Sequence, residues 1–303
     1  MNSPEYKLVS WIDENYLDFG ELCENPNAMS IIIKNYNLIS WKRLSLNTNP
    51  LAIKMLEENP EKINWVNLSS NRSYEAMKLL EKYPHKADWD YVSLNPYGIP
   101  LLEKFPENIS WYCICKNENA IDIIRKNPDK IHYSTLSCNK NACDLIFANL
   151  DKIHWDLISV NENPKIVKFL INDSNKINWE FFSVNSCDDA VKFLIKNPDK
   201  ICWTYFSENS NPLAVDFMSA NIDKIDWYFA SMNPSAIELL RKNKNHINRW
   251  CLSANPSVFT LDYNKMRIKI MDLEEEILKV VLHPDKIAYY RDKYNYDVDD
   301  MFD

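Results

Sequence analysis

The residues with the strongest potential for chemistry are two histidines and a group of cysteines in the middle of the chain. His132 and His154 stand 22 residues apart, and four cysteines lie close to them in sequence. These cysteines are Cys113, Cys115, Cys138 and Cys143. Imidazole and thiolate are common zinc ligands, but the spacing matches no standard zinc pattern. Because Asn or Asp takes the histidine position elsewhere in the chain, a capping or surface role is the alternative that we favour.

No other set of residues points to catalysis. His85, His246 and His283 fall in predicted loops without a Ser or Cys partner. The carboxylates are scattered at predicted helix starts, where they favour the helix macrodipole. Only two glycines occur, Gly20 and Gly98, so neither a phosphate-binding loop nor a dinucleotide fingerprint can be built. We therefore predict a protein that is not an enzyme and that uses no cofactor or metal.

A repeated sequence unit contains nearly all of these residues. It has the form I-x-W-x-x-L/F-S-x-N, followed by a short joint and by A-I-x-L-L-x-x-N-P-x-K, and it recurs from Leu17 to about Asp262. Successive serine positions are 22 or 24 residues apart, a period typical of stacked supersecondary units. We number the repeats 1 to 11 by the residue at this position. In order, these residues are Cys23, Ser45, Ser69, Ser93, Cys115, Ser137, Ser159, Ser183, Ser207, Ser231 and Ser253.

Each repeat is predicted to form two short helices. The first begins at an aromatic residue, usually after an Asp, Asn or Ser that can cap it. We predict that these aromatic residues form the structural core, so that Trp→Ala costs about 3–5 kcal/mol where the ring is buried. The predicted core residues are Trp41, Trp65, Trp89, Trp111, Tyr133, Trp155, Trp179, Trp203 and Trp227. The alternative, a stacking platform for bases or an aromatic groove, requires exposed rings.

An asparagine follows two residues after every serine position. We interpret it as a structural joint, since Asn tolerates left-handed backbone and bonds to nearby main chain. The second helix often opens with Asn-Pro, in which Asn caps the helix and Pro occupies its first position. The two-residue difference between the 22- and 24-residue repeats falls in this joint. We therefore expect it to leave both helices intact.

These patterns predict an all-α fold, a right-handed-type α-solenoid of about eleven two-helix repeats, roughly 100 Å along its curve. We expect an N-terminal capping helix over residues 1–16, the solenoid over 17–262, and a C-terminal capping helix with an acidic tail over 263–303. Atypical end repeats fit this scheme, because an end has one face without a neighbour. A longer amphipathic helix is predicted over residues 264–282, as a lid on the last repeat or as a partner-binding helix. Two places depart from the pattern, at Arg249 in the aromatic position and at residues 96–100.

Composition narrows the functional classes. The formal net charge of −8 and the pI of about 5.3 oppose a general nucleic-acid binder. With 46% apolar residues and a mean hydropathy of −0.41, the chain is typical of soluble globular proteins, and no stretch of about 18 apolar residues predicts a membrane span. The N-terminus does not resemble a signal peptide. The eight cysteines stand at small-residue positions of the repeat, and we expect them to be reduced.

The position directly after the aromatic residue varies freely, unlike its neighbours. We call it the variable column. In a repeat protein such a column lies on one shared face, where binding specificity can reside. The candidate partner-binding residues are Lys42, Val66, Asp90, Tyr112, Asp156, Glu180, Thr204 and Tyr228. An ordinary solvent-facing surface is the simpler interpretation.

The repeats resemble a known group of sequences. Units of the form I-x-W-x-x-L-S-x-N-P-x-A-I-x-L-L-x-x-N-P-x-K-I are similar to those of uncharacterised short-repeat proteins of large nucleocytoplasmic DNA viruses. The segments LEEEI at 273–277 and VLHP at 281–284 also resemble the tails of those proteins. The match covers nearly the whole chain. The resemblance implies an α-solenoid and a viral origin, and it implies no site residues.

Repeats without a catalytic set predict a protein–protein interaction scaffold of a large DNA virus, which binds a host or viral protein along one solenoid face. A structural or minor component of the virion is the first alternative. A single-stranded nucleic-acid-binding repeat protein is the second. We expect the protein in the host-cell cytoplasm or in the virion, and we expect no membrane association.

Overall fold

The computed structural model describes residues 5–281 together with His283, Lys286 and Lys293. Residues 8–259 form one compact body, and the described residues before and after them form a second. The chain is about 65% helical with almost no sheet. The predicted all-α repeat fold is therefore confirmed.

Every repeat has the predicted first helix. It starts at the aromatic position and ends near the serine position, so it comprises only four to six residues. These helices are α1 Phe19–Leu22, α3 Trp41–Leu44, α5 Trp65–Ser70, α7 Trp89–Leu94, α9 Trp111–Ile114, α11 Tyr133–Leu136, α13 Trp155–Ile158, α15 Trp179–Phe182, α17 Trp203–Phe206, α19 Trp227–Met232 and α21 Arg249–Ala254.

The second helix is present in repeats 1 to 10, and its length follows the length of the repeat. It has eight or nine residues in the 24-residue repeats and five or six in the 22-residue repeats. The helices are α2 Met29–Lys34, α4 Pro50–Glu57, α6 Tyr74–Lys82, α8 Ile99–Lys104, α10 Ile121–Lys126, α12 Cys143–Phe147, α14 Pro164–Asn172, α16 Asp188–Lys196, α18 Pro212–Ser219 and α20 Ile237–Lys242. The expectation that the length difference leaves both helices intact is wrong. In the 24-residue repeats the extra residues include a separate N-cap for the second helix, such as Asn49, Asn163 or Asn211. The second helix is therefore α-helical from its first turn.

Short 3-10 turns connect these helices. Most repeats end in one at the N-P-x-K segment, where Pro stops the preceding helix. These turns are Tyr36–Leu38, Pro60–Lys62, Pro84–Lys86, Pro106–Asn108, Pro128–Lys130, Ser174–Lys176, Pro198–Lys200 and Lys244–His246. A second set follows the joint asparagine in three 22-residue repeats and in repeat 11: Pro96–Gly98, Glu118–Ala120, Pro234–Ala236 and Pro256–Val258.

The N-terminal segment differs from the predicted capping helix. The described part of residues 1–16 contains a strand, β1 Tyr6–Leu8, and a 3-10 turn, Glu14–Tyr16, in place of an α-helix. β1 pairs with β2 Phe259–Leu261. The strands are antiparallel, because Asp262 N donates to Glu5 O and Val9 N donates to Val258 O.

The predicted C-terminal helix forms as α22 Tyr263–Val281. Its large apolar side chains are more than half exposed at Ile268, Ile270, Leu273, Ile277 and Val280. The predicted acidic tail, residues 297–303, lies outside the described residues.

The core runs through the repeats as columns of equivalent apolar residues. The third residue after each aromatic position is fully buried, including Phe182 and Phe206, and so is a large apolar residue in the last turn of most second helices, such as Leu80 and Leu194. These columns explain the helical spacing of apolar residues, since each helix buries one stripe against the neighbouring repeats.

Gly98 is required by a close backbone approach. A Cβ at this position would lie 2.2 Å from the Val92 carbonyl oxygen. Other 22-residue repeats place alanine here, so sequence comparison alone suggests that Gly98→Ala is harmless. We expect it instead to lower the free energy of unfolding by about 1–3 kcal/mol, as overpacking does. Urea unfolding will measure this.

The matched control is the only other glycine of the chain. A Cβ at Gly20 would meet only the Asp18 side chain, at 3.1 Å. Because Gly20 lies inside α1, where alanine is favoured over glycine by about 0.5–1 kcal/mol, Gly20→Ala should leave stability unchanged or raise it slightly. Equal unfolding curves for the two alanine variants would contradict the close approach at Gly98.

Candidate functional site

The joint asparagines form a continuous hydrogen-bond ladder. The Nδ2 of each one donates to two backbone carbonyls of the preceding repeat, at the serine position and at the asparagine itself, over 2.8–3.2 Å. Asn161, for example, contacts the carbonyls of Ser137 and Asn139 and also accepts from Asn163 N. The backbone here is extended, as at Asn95 with φ −78°. The joint asparagines thus bond to main chain as expected, but they do so from extended backbone and make no use of the left-handed backbone that Asn tolerates.

The serine position carries a second ladder. Each Oγ, or Sγ in repeats 1 and 5, accepts from the backbone N–H of the residue before the next aromatic position. In most repeats the same hydroxyl donates to the carbonyl four residues earlier, as Ser183 does to Trp179 at 2.7 Å. Both ladders are buried, and together they satisfy the polar groups between neighbouring repeats.

Both ladders run through the junction of repeats 11 and 1, which we call the seam. Asn25 donates to the carbonyls of Ser253 and Asn255 at 3.2 and 2.9 Å. Asp18 N donates to Ser253 Oγ at 2.8 Å. These are the same bonds as between any two consecutive repeats, so the repeats of residues 8–259 close into a ring. The predicted solenoid with two capped ends is corrected, because repeats 1 and 11 cover each other.

Residues from both ends of this body complete repeat 11. In repeat 11 the turn at residues 256–258 is followed directly by β2, where the other repeats have their second α-helix. Residues 9–17 lie beside it, where Ile12 and Leu17 are buried. Arg249, in the aromatic position, donates from Nη2 to Leu17 O at 3.0 Å, and Tyr16 donates to Ile247 O. The departure at Arg249 thus adapts repeat 11 to the start of the chain.

The aromatic residues predicted as core are only half-buried. Their rings pack against the second helix, as Trp179 does on Phe193 with ring centroids 5.8 Å apart. In several repeats the lysine of N-P-x-K lies over the ring, with Nζ 4.6 Å from the ring centre at Lys176 and Trp155. Other such pairs are Lys62–Trp41, Lys130–Trp111, Lys152–Tyr133 and Lys224–Trp203. Cation–π contact, worth about 0.5–1 kcal/mol at exposed sites, explains this lysine.

The burial difference gives a ranking of two aromatic substitutions in one helix. Phe182 is fully buried, and Phe182→Ala should cost about 3–5 kcal/mol of unfolding free energy. Trp179→Ala should cost less, because part of the Trp179 ring already faces water. Denaturant unfolding of the two variants tests this order. A larger loss of unfolding free energy for Trp179→Ala than for Phe182→Ala would show that the Trp179 ring is part of the buried core.

The variable column lies at the surface, as its variability suggested. All eight candidate partner-binding residues are exposed: Lys42, Val66, Asp90, Tyr112, Asp156, Glu180, Thr204 and Tyr228. The column's member in repeat 11 is Trp250, which is not among the eight predicted residues. It is 62% exposed. The sequence does carry a signal for Trp250. Because Arg249 occupies the aromatic position of repeat 11, the tryptophan that follows it falls in the variable column.

The histidines and cysteines do not converge. His154 Nδ1 accepts from Leu157 N and caps α13, while His132 is exposed and lies edge-on to Tyr112. Among the described residues, no three His, Cys, Asp or Glu side chains are close enough to hold a metal ion. All eight cysteines lie in the described part and are free thiols. Burial raises the pKa of Cys23 and Cys115, so at neutral pH they are thiols and weak nucleophiles.

Two polar cavities open beside the first helices. One, of about 270 Å³, extends over repeats 3 to 7, where Lys140 pairs with Glu118 at 2.5 Å and Arg72 lies exposed. The other, of about 450 Å³, lies at the seam and is bordered by Tyr228 and Trp250 of the variable column.

No helix in the described part of the chain is both long and apolar enough to cross a membrane. The chain matches no protein-family model, no curated protein and no solved structure.

Proposed function

We propose that this protein is a non-enzymatic interaction scaffold that binds another protein along its variable column. The observation that carries the proposal is the contrast between neighbouring positions. Serine and asparagine recur because each makes one of the ladders between repeats. The variable column, by contrast, is exposed and holds Lys, Val, Asp, Tyr, Glu or Thr in different repeats. A fixed framework that presents a varied surface is the arrangement by which repeat proteins recognise partners.

The closed ring changes how a partner would engage this surface. The column has no ends, so Lys42 and Tyr228 are separated only by repeats 11 and 1. A partner that covers these positions contacts both extremes of the repeat sequence. The ladders also limit deformation of the framework, because an opening at one junction breaks buried hydrogen bonds of both kinds. Binding to such a preformed surface requires little ordering.

The viral origin implied by the sequence resemblance belongs to this proposal. It places the protein in the cytoplasm of an infected host cell or in the virion. A role as a structural or minor component of the particle is the alternative within that setting. Single-stranded nucleic acid is less compatible with the net charge of −8 and with the three acidic candidate residues of the column.

The test is crosslinking mass spectrometry on the tagged full-length protein from infected cells. We expect crosslinks from the variable column to one or a few host or viral proteins. Crosslinks confined to capsid or other virion proteins would favour the structural role. Recovery of nucleic acid or lipid without a protein partner would refute the scaffold.

A matched pair of variants locates the surface. Val66→Ala with Tyr112→Ala removes apolar contact area from the column, where these side chains are 47% and 54% exposed. Leu51→Ala with Tyr74→Ala removes similar side chains from second helices, where they are 39% and 51% exposed. Only the first pair should reduce capture of the partner. Equal loss with both pairs would indicate that the column is not the binding face.

A further inference from the structure

The seam cavity combines aromatic walls with excess negative charge. Trp250 and Tyr228, which are 62% and 51% exposed, border it with their rings, and Met232, which is 43% exposed, lies beside them. The next member of the variable column is Gly20, which has no side chain to fill the space. The largest side chain of the column therefore stands next to its smallest. This juxtaposition exists only because repeat 11 packs on repeat 1.

The opposite side of the cavity is acidic. Among the described residues that border it here are the carboxyl groups of Asp18, Glu21 and Glu24 and a single cation, Arg43. Arg43 bridges two of them, with Nη2 2.5 Å from Glu21 Oε1 and Nη1 2.9 Å from Glu24 Oε2. Three carboxylates against one guanidinium leave two negative charges. Glu21 and Glu24 are 24% and 34% exposed, so their charges are less screened than on an open surface.

Aromatic faces and carboxylates attract the same kind of ligand. A cation over a Trp or Tyr ring is held by the ring quadrupole, and a carboxylate adds direct charge attraction. An arginine side chain uses both contacts best, because its planar guanidinium stacks on rings and presents paired N–H donors to carboxylates. The contacts of Arg43 show that Glu21 and Glu24 already accept a guanidinium in this geometry.

We propose that the seam cavity binds an arginine side chain of the partner protein, between the Trp250 and Tyr228 rings and the carboxylates of Glu21 and Asp18. This inference rests on the proposed function, which it refines by naming the residue type that the partner contributes. It also gives a reason for a tryptophan in the variable column at this place. An acidic or phosphorylated segment is excluded as the ligand by the charge of the cavity.

The test uses the full-length protein labelled with 5-fluorotryptophan and observed by fluorine NMR. The resonance of Trp250, one of ten tryptophans, is assigned by Trp250→Phe. The ligand is the blocked peptide acetyl-Gly-Arg-Gly-amide, compared with peptides in which citrulline or lysine replaces arginine. We expect a saturable shift of the Trp250 resonance with the arginine peptide, weakened by salt. Citrulline keeps the shape without the charge and should bind at least about tenfold more weakly, because the charge-assisted contacts are lost.

Variants separate the site from nonspecific attraction. Tyr228→Ala and Glu21→Gln should each weaken the arginine peptide by about fivefold, the effect of one cation–π or one charge contact. Tyr74→Ala, which removes an exposed tyrosine of a second helix outside the column, should have no effect. The other tryptophan resonances report whether each variant remains folded. Equal affinity for the arginine and lysine peptides, or no shift of Trp250 at millimolar arginine peptide, would overturn the assignment.

Two outcomes distinguish the arginine site at the seam from the protein-binding scaffold. If a protein partner is captured but Tyr228→Ala and Glu21→Gln leave its capture unchanged, the seam assignment is refuted and the scaffold stands. If the arginine peptide binds as described but no protein partner is recovered, the scaffold is refuted and the guanidinium site stands.

Discussion

Asn161→Asp is expected to lower the free energy of unfolding by about 3–6 kcal/mol at pH 7. The substitution keeps the size of the side chain and its acceptor for Asn163 N, but it replaces the Nδ2 donor by an oxygen. That oxygen then faces the carbonyls of Ser137 and Asn139, which the donor contacted at 2.9 and 3.1 Å. Asn161 is fully buried, so the new charge also loses its hydration. Urea unfolding followed by circular dichroism measures the change.

The control stands two residues away. Asn163 caps α14 through its Oδ1, which accepts from Lys165 N, and its Nδ2 contacts Lys140 O at the surface. Aspartate caps helices as well as asparagine does, so Asn163→Asp should cost less than about 1 kcal/mol. A small loss for Asn161→Asp, similar to that of the control, would mean that the ladder contributes little to stability.

The same variant should show a characteristic pH dependence. Burial opposite two carbonyl oxygens raises the pKa of the new carboxyl above the ordinary value of about 3.9 that it has in the unfolded chain. The folded variant then binds more protons than the unfolded chain between these two values, and its stability rises as the pH falls through that range. The difference in unfolding free energy between Asn161→Asp and the natural protein should therefore become smaller towards pH 4.

Asn25→Asp should be as damaging as Asn161→Asp, although Asn25 belongs to the first repeat. In an open solenoid the first asparagine has no preceding repeat to contact, and its substitution would be nearly neutral. In the ring Asn25 is fully buried and donates to the carbonyls of Ser253 and Asn255. We expect the two variants to agree within about 1 kcal/mol, because each loses the same pair of bonds.

Comparison of the two urea midpoints is thus a direct measurement of ring closure. A near-neutral Asn25→Asp beside a damaging Asn161→Asp would show that the seam is open in solution. The Trp250 resonance gives an independent check, since opening of the seam separates that ring from Glu21 and Asp18. The arginine site proposed above would disappear with it.

Closure also bears on how a partner is recognised. The variable column contains both charged and aromatic side chains, and the ring brings Tyr228 and Trp250 beside the acidic residues of repeat 1. Positions that are more than 200 residues apart in sequence therefore form one surface. A partner that binds this surface therefore requires the ring to be closed.

The sequence by itself determined the repeat, its two-helix content and the surface position of the variable column. These follow from local physics: the cap, the aromatic residue and the apolar residue three places later specify one helix, and Pro stops the next. It also indicated through Arg249 that repeat 11 differs. It could not tell why Ser and Asn recur, because their partners lie in another repeat, 17 to 26 residues away in most cases.

Only the tertiary structure decided that the repeats close. The repeat motif specifies contacts between neighbours, and each junction adds a small rotation whose sum is not readable from any one repeat. The rotations at the ten junctions along the chain bring Ser253 to Asn25, and the ladders continue across this eleventh junction. The half-burial of the tryptophans and the seam cavity have the same origin. They depend on which helix faces pack together and on which distant residues the completed ring places side by side.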